Sequence, residues 1–448
     1  MKRFFQAEDF FKITEIVQKK TWTKSSALVN NLNIIMSLPM CVRKRLLVPA
    51  MLMALPLFLL GETVIAPQGN EFLIPGPLPG DQIGSSISLS QNGGYVVWEE
   101  NGNLKTGTEI SAARLDSNFN KTTVLKINKL AKGDQRNPQV RLLNSGDALF
   151  VWQGYGLGNA DIYARLLKSD GTFLTADTRV NSFITDQQSH PVVSALSGGG
   201  AIVAWQSLNQ DGSLFGIYAR KLSAAGALVG SEFLVNQTTA YNQRDPAVAT
   251  LTNGNVILVW VSEQERFAFS VDIYGRLFNE AGEPVSDEIL LNSGNNLCAN
   301  PSVAALANGG FTVAWSEKDS LSRSNSWEIM GRSFSAEGVA VGGDFKINTT
   351  TYGDQFRPKL AAVGNDCAAV WTSLGQDGSS EGVYGRLLQG GAQPSGDEFR
   401  VNNTTVSRQI FPAIASDGSG RVLVSWSSFV AVYGFDLFGR KFNLNQQP

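Results

Sequence analysis

A single histidine, His190, and a scatter of carboxylates bound the chemistry open to this 448-residue sequence. One histidine leaves no multi-histidine metal site and one candidate for any His-dependent triad. Asp134 and Asp354 stand at equivalent places, each directly before a recurring glutamine. Together with His190 they would supply the acid–base groups that cleave a glycosidic linkage. Gln210-Asp211-Gly212-Ser213 and Gln376-Asp377-Gly378-Ser379 each carry one aspartate, whereas a calcium loop needs several oxygen ligands at alternating positions. A lone Asp-Gly reads as turn chemistry, so neither metal nor other cofactor is expected. The formal net charge of −2 lacks the clustered Lys and Arg of a phosphate-binding surface, which argues against nucleic acid as a partner.

The elements that position these groups are repeats. Seven tryptophans, Trp98, Trp152, Trp205, Trp260, Trp315, Trp371 and Trp426, end apolar runs at steps of 54, 53, 55, 55, 56 and 55. Arg114, Arg165, Arg220, Arg276, Arg332, Arg386 and Arg440 form a second register. Pro138, Pro191, Pro246, Pro301, Pro358 and Pro412 form a third, with Ser85 in the first copy. Each copy holds four short runs rich in Val, Ile, Tyr and Phe, separated by Gly, Asn, Asp and Ser. These read as strands A to D joined by tight hairpins. Seven four-stranded units predict an all-β, seven-bladed β-propeller. The tryptophans then pack between blades, and the arginines bond carbonyls or carboxylates across them.

Closure is the sharpest expectation. The last copy ends too soon after Arg440 to make a strand D, while Glu71-Phe72-Leu73-Ile74-Pro75 matches Glu232-Phe233-Leu234-Val235-Asn236 without an A, B or C of its own. Residues 71–75 are therefore expected to complete blade 7, and the propeller to span residues 71–448. Residues 1–66 form an N-terminal extension with a signal peptide: Arg43-Lys44-Arg45, the apolar run 46–60, then Val64 and Ala66 at the positions before cleavage. The apolar run is short for a membrane span and contains Pro49 and Pro56, so membrane contact is expected only if it is retained as an anchor. Met36 and Met40 each stand where an ordinary signal peptide would start.

Three residues before the recurring proline come Gln82, Gln135, Gln188, Gln243, Gln355 and Gln409, with Cys298 in the fifth copy. A ring of glutamines would tie the D–A connections together or face a polar ligand at the channel mouth. The Trp-to-Arg step varies from 13 to 17, which concentrates length variation in the B–C loops. These share a face with the D–A loops, and variable loops on a rigid scaffold build binding surfaces. Tyr155, Arg266, Phe267, Arg323 and Trp327 are the expected exposed contacts there. Trp327, outside the structural tryptophan register, is the leading one.

Gln243-x-x-Pro246, Gly309-Gly310-Phe311-Thr312-Val313-Ala314-Trp315, Gly216-Ile217-Tyr218-Ala219-Arg220 and Val229-Gly230-x-Glu232-Phe233-x-Val235-Asn236 together form a pattern. It resembles the tandem unit of about 55 residues found in large secreted bacterial proteins, often beside hemolysin-type calcium-binding repeats. The resemblance covers roughly residues 71–445 and implies a secreted or cell-surface protein; the glycine-rich calcium nonapeptides are absent from this sequence. Two functions follow as expectations. The first is a monomeric, non-enzymatic recognition or adhesion module for an extracellular glycan or protein. The alternative is a propeller hydrolase or lyase acting on extracellular polysaccharide with carboxylates at the channel mouth.

Overall fold

The computed structural model describes residues 63–102, 107–130, 132–155, 158–321, 326–430 and 434–446. The basic and apolar segment before Thr63, Cys41 and the candidate Arg323 lie outside them. The described residues form seven antiparallel four-stranded sheets. Blade 3 shows the pattern: A is Gln188–Ala195, B Ala201–Leu208, C Phe215–Leu222 and D Leu228–Leu234. The other A strands are Gln82–Ser90, Gln135–Leu142, Gln243–Thr250, Leu297–Ala305, Gln355–Val363 and Gln409–Ser416. Each A strand adjoins those of both neighbouring blades, and the last lies beside the first. The result is a closed seven-bladed β-propeller with the A strands around a central channel. No helix among the described residues is long and apolar enough to cross a membrane.

Blade 7 is made from both ends of the described chain. Its A strand is followed by B (Arg421–Val430) and C (Gly434–Gln446), and its D strand is Thr63–Leu73. Thr63 to Gln68 pair with Gln446 to Lys441, and Phe72 and Leu73 pair with Gly439 and Phe438 after an irregularity. The strand thus starts eight residues before the expected Glu71 and includes Val64 and Ala66. Processing after Ala66 would leave the pairs of Gln68, Phe72 and Leu73 in place.

Recurring side chains join each blade to the one before it. All seven register tryptophans are at most 1 % exposed. Trp205, for example, packs against Leu143, Leu149 and Val151 of blade 2. The Arg220 guanidinium donates to the Val180 carbonyl of the preceding blade at 2.9 Å and to Gly230 of its own D strand at 2.8 Å. Arg165, Arg276, Arg332, Arg386 and Arg440 make the same pair of contacts. D-strand acids add a second tie: Glu232 accepts the backbone N–H groups of Ser182 and Phe183 in the preceding D–A loop. Glu71 does the same for Asn403 and Thr404, at 2.6 and 3.1 Å. The N-terminal segment is therefore held by the same bonds as an ordinary D strand.

The junction of blades 7 and 1 departs from this pattern. Arg114 turns instead to the Ser169 carbonyl of blade 2, at 2.9 Å. Lys121 Nζ donates to the Pro75 carbonyl at 2.8 Å, Lys441 Nζ to Asn120 Oδ1 at 2.6 Å, and Arg421 to the carbonyls of Ser117 and Gln91.

Removing residues 63–75 exposes a strand edge and unmakes the Glu71 and Arg440 ties, so the melting transition should fall sharply and lose cooperativity. An unchanged melting curve would refute the latch. Trp205→Ala should cost roughly 3–5 kcal/mol in denaturant unfolding, as large core truncations do.

Candidate functional site

Every A strand breaks its pairing with B just after its first residues, and the break falls at one repeated position. There the backbone is left-handed: Asn137 (φ 50), His190 (φ 53), Asp245 (φ 52), Asn300 (φ 52), Arg357 (φ 57) and Phe411 (φ 56), with Gly84 (φ 65) in blade 1. Asn, Asp and His tolerate this region; for Arg and Phe it costs about 1–3 kcal/mol. The next residue is the register proline, or Ser85 in blade 1. The bulge turns these side chains toward one another at the channel mouth. His190 Nε2 lies 3.9 Å from Asp245 Oδ1 of the next blade. The Arg357 guanidinium lies 4.7 Å from the ring centroid of Phe411, also one blade on.

The preceding blade holds the bulge. In four blades the residue after the register tryptophan accepts the N–H of the left-handed residue of the next blade: Glu99 from Asn137 at 2.7 Å, Gln153 from His190 at 3.1 Å, Gln206 from Asp245 at 2.9 Å and Ser316 from Arg357 at 3.0 Å. Gln153 also accepts from Asn137 Nδ2 and donates to the Tyr155 hydroxyl, which ties His190 of blade 3 to Asn137 and Tyr155 of blade 2. Arg244 clamps Asp245 at 2.7 Å and Glu263 at 2.6 Å. Arg136 pairs with Asp134 at 2.7 Å.

The carboxyl groups of this cluster differ in proton affinity. Burial pushes Glu99 up to about 7, against the pull of the Asn137 N–H and of Arg136 and with added push from Asp134. Burial also opposes ionisation of Asp134, but Arg136 and the Thr108 N–H outweigh it and hold the group below the usual carboxylate range. Asp245 is held low in the same way, burial being overcome by Arg244, His190 and Arg357. At neutral pH the mouth therefore offers one carboxyl that shares its proton beside others that are ionised, the division of labour acid–base catalysis requires.

The residues singled out from sequence are distributed unevenly. Tyr155 is half-buried and belongs to the mouth cluster. Phe267 is 50 % exposed on the B–C loop of blade 4. Arg266 stacks on Phe267 and folds back onto Asp272 at 2.9 Å, so it braces its own loop. Trp327, expected as an exposed contact, is corrected by the structure: it is 9 % exposed, its N–H bonded to Asp354 and its carbonyl to Gln355 N. That bond makes Asp354 a loop cap, as the Thr108 bond does for Asp134. The glutamines are buried at the start of strand A. Gln135, Gln188 and Gln355 accept the indole N–H of Trp152, Trp205 and Trp371. Gln243 and Gln409 accept from Asn236 and Asn402, and all five donate to carbonyls of their own D–A loops. Where Cys298 replaces glutamine, Glu317 takes over the Trp315 indole at 2.8 Å.

Glu99, Asp245 and the strained ring escaped the sequence reading. One signal was available: the residue before the recurring proline changes in type from copy to copy, although it lies between the recurring glutamine and the recurring proline. Tyr241 (59 % exposed) and Tyr352 (76 % exposed) in D–A loops were also missed.

No family model matches the chain, and no curated protein matches it in sequence. Solved structures share the fold. A protein of unknown function from Dyadobacter fermentans superposes with a TM-score of 0.52 at 11% identity, covering 85% of this chain and 99% of that one. The Penicillium chrysogenum α-L-arabinanase complexed with arabinobiose gives 0.50 at 12% identity, over 69% and 93%. The polysaccharide lyase Uly1 gives 0.52 at 11% identity, over 83% and 91%.

The Glu99 shift predicts a pH dependence of stability. Its folded value lies above the unfolded one, so its contribution is complete in acid and is lost as pH rises through about 7. Glu99→Gln keeps an acceptor for Asn137 and cannot ionise. From about pH 5 to about pH 8 it should gain roughly 2–3 kcal/mol over wild type in denaturant unfolding. Parallel pH profiles for the two proteins would refute the shift.

Proposed function

We propose that this protein cleaves glycosidic linkages of an extracellular polysaccharide at the channel mouth, on the face formed by the D–A and B–C loops. Two groupings carry the reading: a proton-sharing Glu99 beside ionised Asp134, and a half-exposed His190 beside ionised Asp245. In it, Glu99 protonates the leaving oxygen and His190, oriented by Asp245, accepts a proton, either from water or from the sugar ring. Exposed Tyr241, Tyr352 and Phe267 offer flat apolar faces for sugar rings on the same side. The arabinanase and the lyase share only the fold; their carbohydrate chemistry agrees with the proposal and does not carry it. A location outside the cytoplasm is part of the proposal, supported by Arg43-Lys44-Arg45 and the apolar run 46–60.

One observation favours recognition without turnover. Asp134, Asp354, Glu263 and Glu381 are committed to caps or ion pairs, which leaves few free acids on this face. Incubation of the protein with a panel of plant, algal and bacterial polysaccharides separates the two readings. New reducing ends are expected, with ultraviolet absorbance of an unsaturated product if cleavage is by elimination. Glu99→Gln should lower turnover about 100-fold or more while binding persists. Binding of a polysaccharide that is never cut would establish the recognition module instead.

A further inference from the structure

Beyond the ring of left-handed residues, the seven A strands carry no acid at all. From the register proline onward their only charged side chains are Arg141 in blade 2 and Lys359 in blade 6. Both are exposed to the channel space. Protein nevertheless surrounds them closely enough that desolvation lowers the pKa of each; Arg357 lowers that of Lys359 further, and Asp245 raises it. Asp245 sits two blades away and is already clamped by Arg244, with His190 beside it. Among the described residues neither Arg141 nor Lys359 has a hydrogen-bond or ion-pair partner, whereas at the mouth Arg136 pairs with Asp134 and Arg244 with Asp245 and Glu263.

The walls beside them are small and neutral. The position of Lys359 is occupied by Ser86, Ala247, Ser302 and Ala413 in four other blades. Ser86 and Ser302 are taken up in accepting Val140 N and Leu360 N of the next A strand. An unpaired cation in confined space of reduced polarity is costly unless an anion joins it. Two cations in one acid-free channel, open at the mouth, constitute such a demand.

The geometry points to an anionic ligand group in the channel: a carboxylate or sulfate borne on the saccharide chain, held by Arg141 and Lys359. The substrate of the proposed cleavage is then an acidic polysaccharide. This inference rests on the cleavage reading for its saccharide part and on the two cations for its charge. Arg141 offers a planar fork to such an oxyanion and Lys359 a point charge.

Calorimetric titration of the full chain with an oligogalacturonate, a neutral oligosaccharide of equal length and free sulfate tests it. The oligogalacturonate should bind at least about 10-fold more tightly than the neutral chain, with an affinity that falls as salt rises. The double variant Arg141→Gln/Lys359→Gln should lose that preference while melting no lower than wild type, since each removed charge had no partner. Free sulfate should compete with the oligogalacturonate. Equal affinity for the neutral chain, or an undiminished preference in the double variant, would overturn the anion site. If sulfate alone binds and no oligosaccharide does, the saccharide part is overturned. Glu99→Gln separates the two proposals, because it should bind the oligogalacturonate as wild type does. Uncut oligogalacturonate that still needs Arg141 and Lys359 would sink the cleavage reading and leave the anion site standing.

Discussion

The antiparallel pairing of Thr63–Leu73 with Gly434–Gln446 is the constraint on which the rest depends. A blade of three strands would leave strand C open at the rim and would break the chain of Arg-to-carbonyl and acid-to-amide ties at one interface. With the N-terminal strand in place, Glu71 and the Arg440 clamp reproduce the bonds of an ordinary blade junction. The following junction compensates differently: three cations, Lys121, Lys441 and Arg421, reach across it to oxygen acceptors. The ring is thus closed by backbone pairing and sealed by side chains that belong to no repeat register.

Closure forces the inner strands together, and the channel mouth follows from that. Every A strand bends as it enters the ring, and the bend is made by one left-handed residue, followed by a proline in six blades and by Ser85 in blade 1. The bulge aims that side chain across the mouth, so a position fixed in conformation is left free in chemistry. The blades use it for amide, imidazole, carboxylate, guanidinium and phenyl groups. In four blades the residue after the neighbouring blade's tryptophan supports it. For this reason Glu99, a buried carboxyl whose proton affinity burial raises, also holds the bulge of the next blade.

Charge is divided between two depths. At the mouth, cations and acids are interlocked as Arg136–Asp134 and Arg244–Asp245–His190. From the register proline onward, Arg141 and Lys359 are the only charged residues of the A strands, and both are positive. Two cations at that depth make the channel more favourable to anions than to cations.

The amino-acid sequence by itself determined the repeat number, the four-strand blade, the structural place of the tryptophans and arginines, and the origin of blade 7 from both termini. These are legible because one physical demand, packing a blade on its neighbour, recurs seven times and marks the same positions each time. Only the tertiary structure decided where the strained ring points, that Trp327 is buried beneath the Asp354 cap, that Glu99 lies beside Arg136 and Asp134, and that Asp245 lies beside His190. Those outcomes depend on distances between residues of different blades and on water removed by ring closure. Neither quantity is periodic along the chain, so no spacing records it.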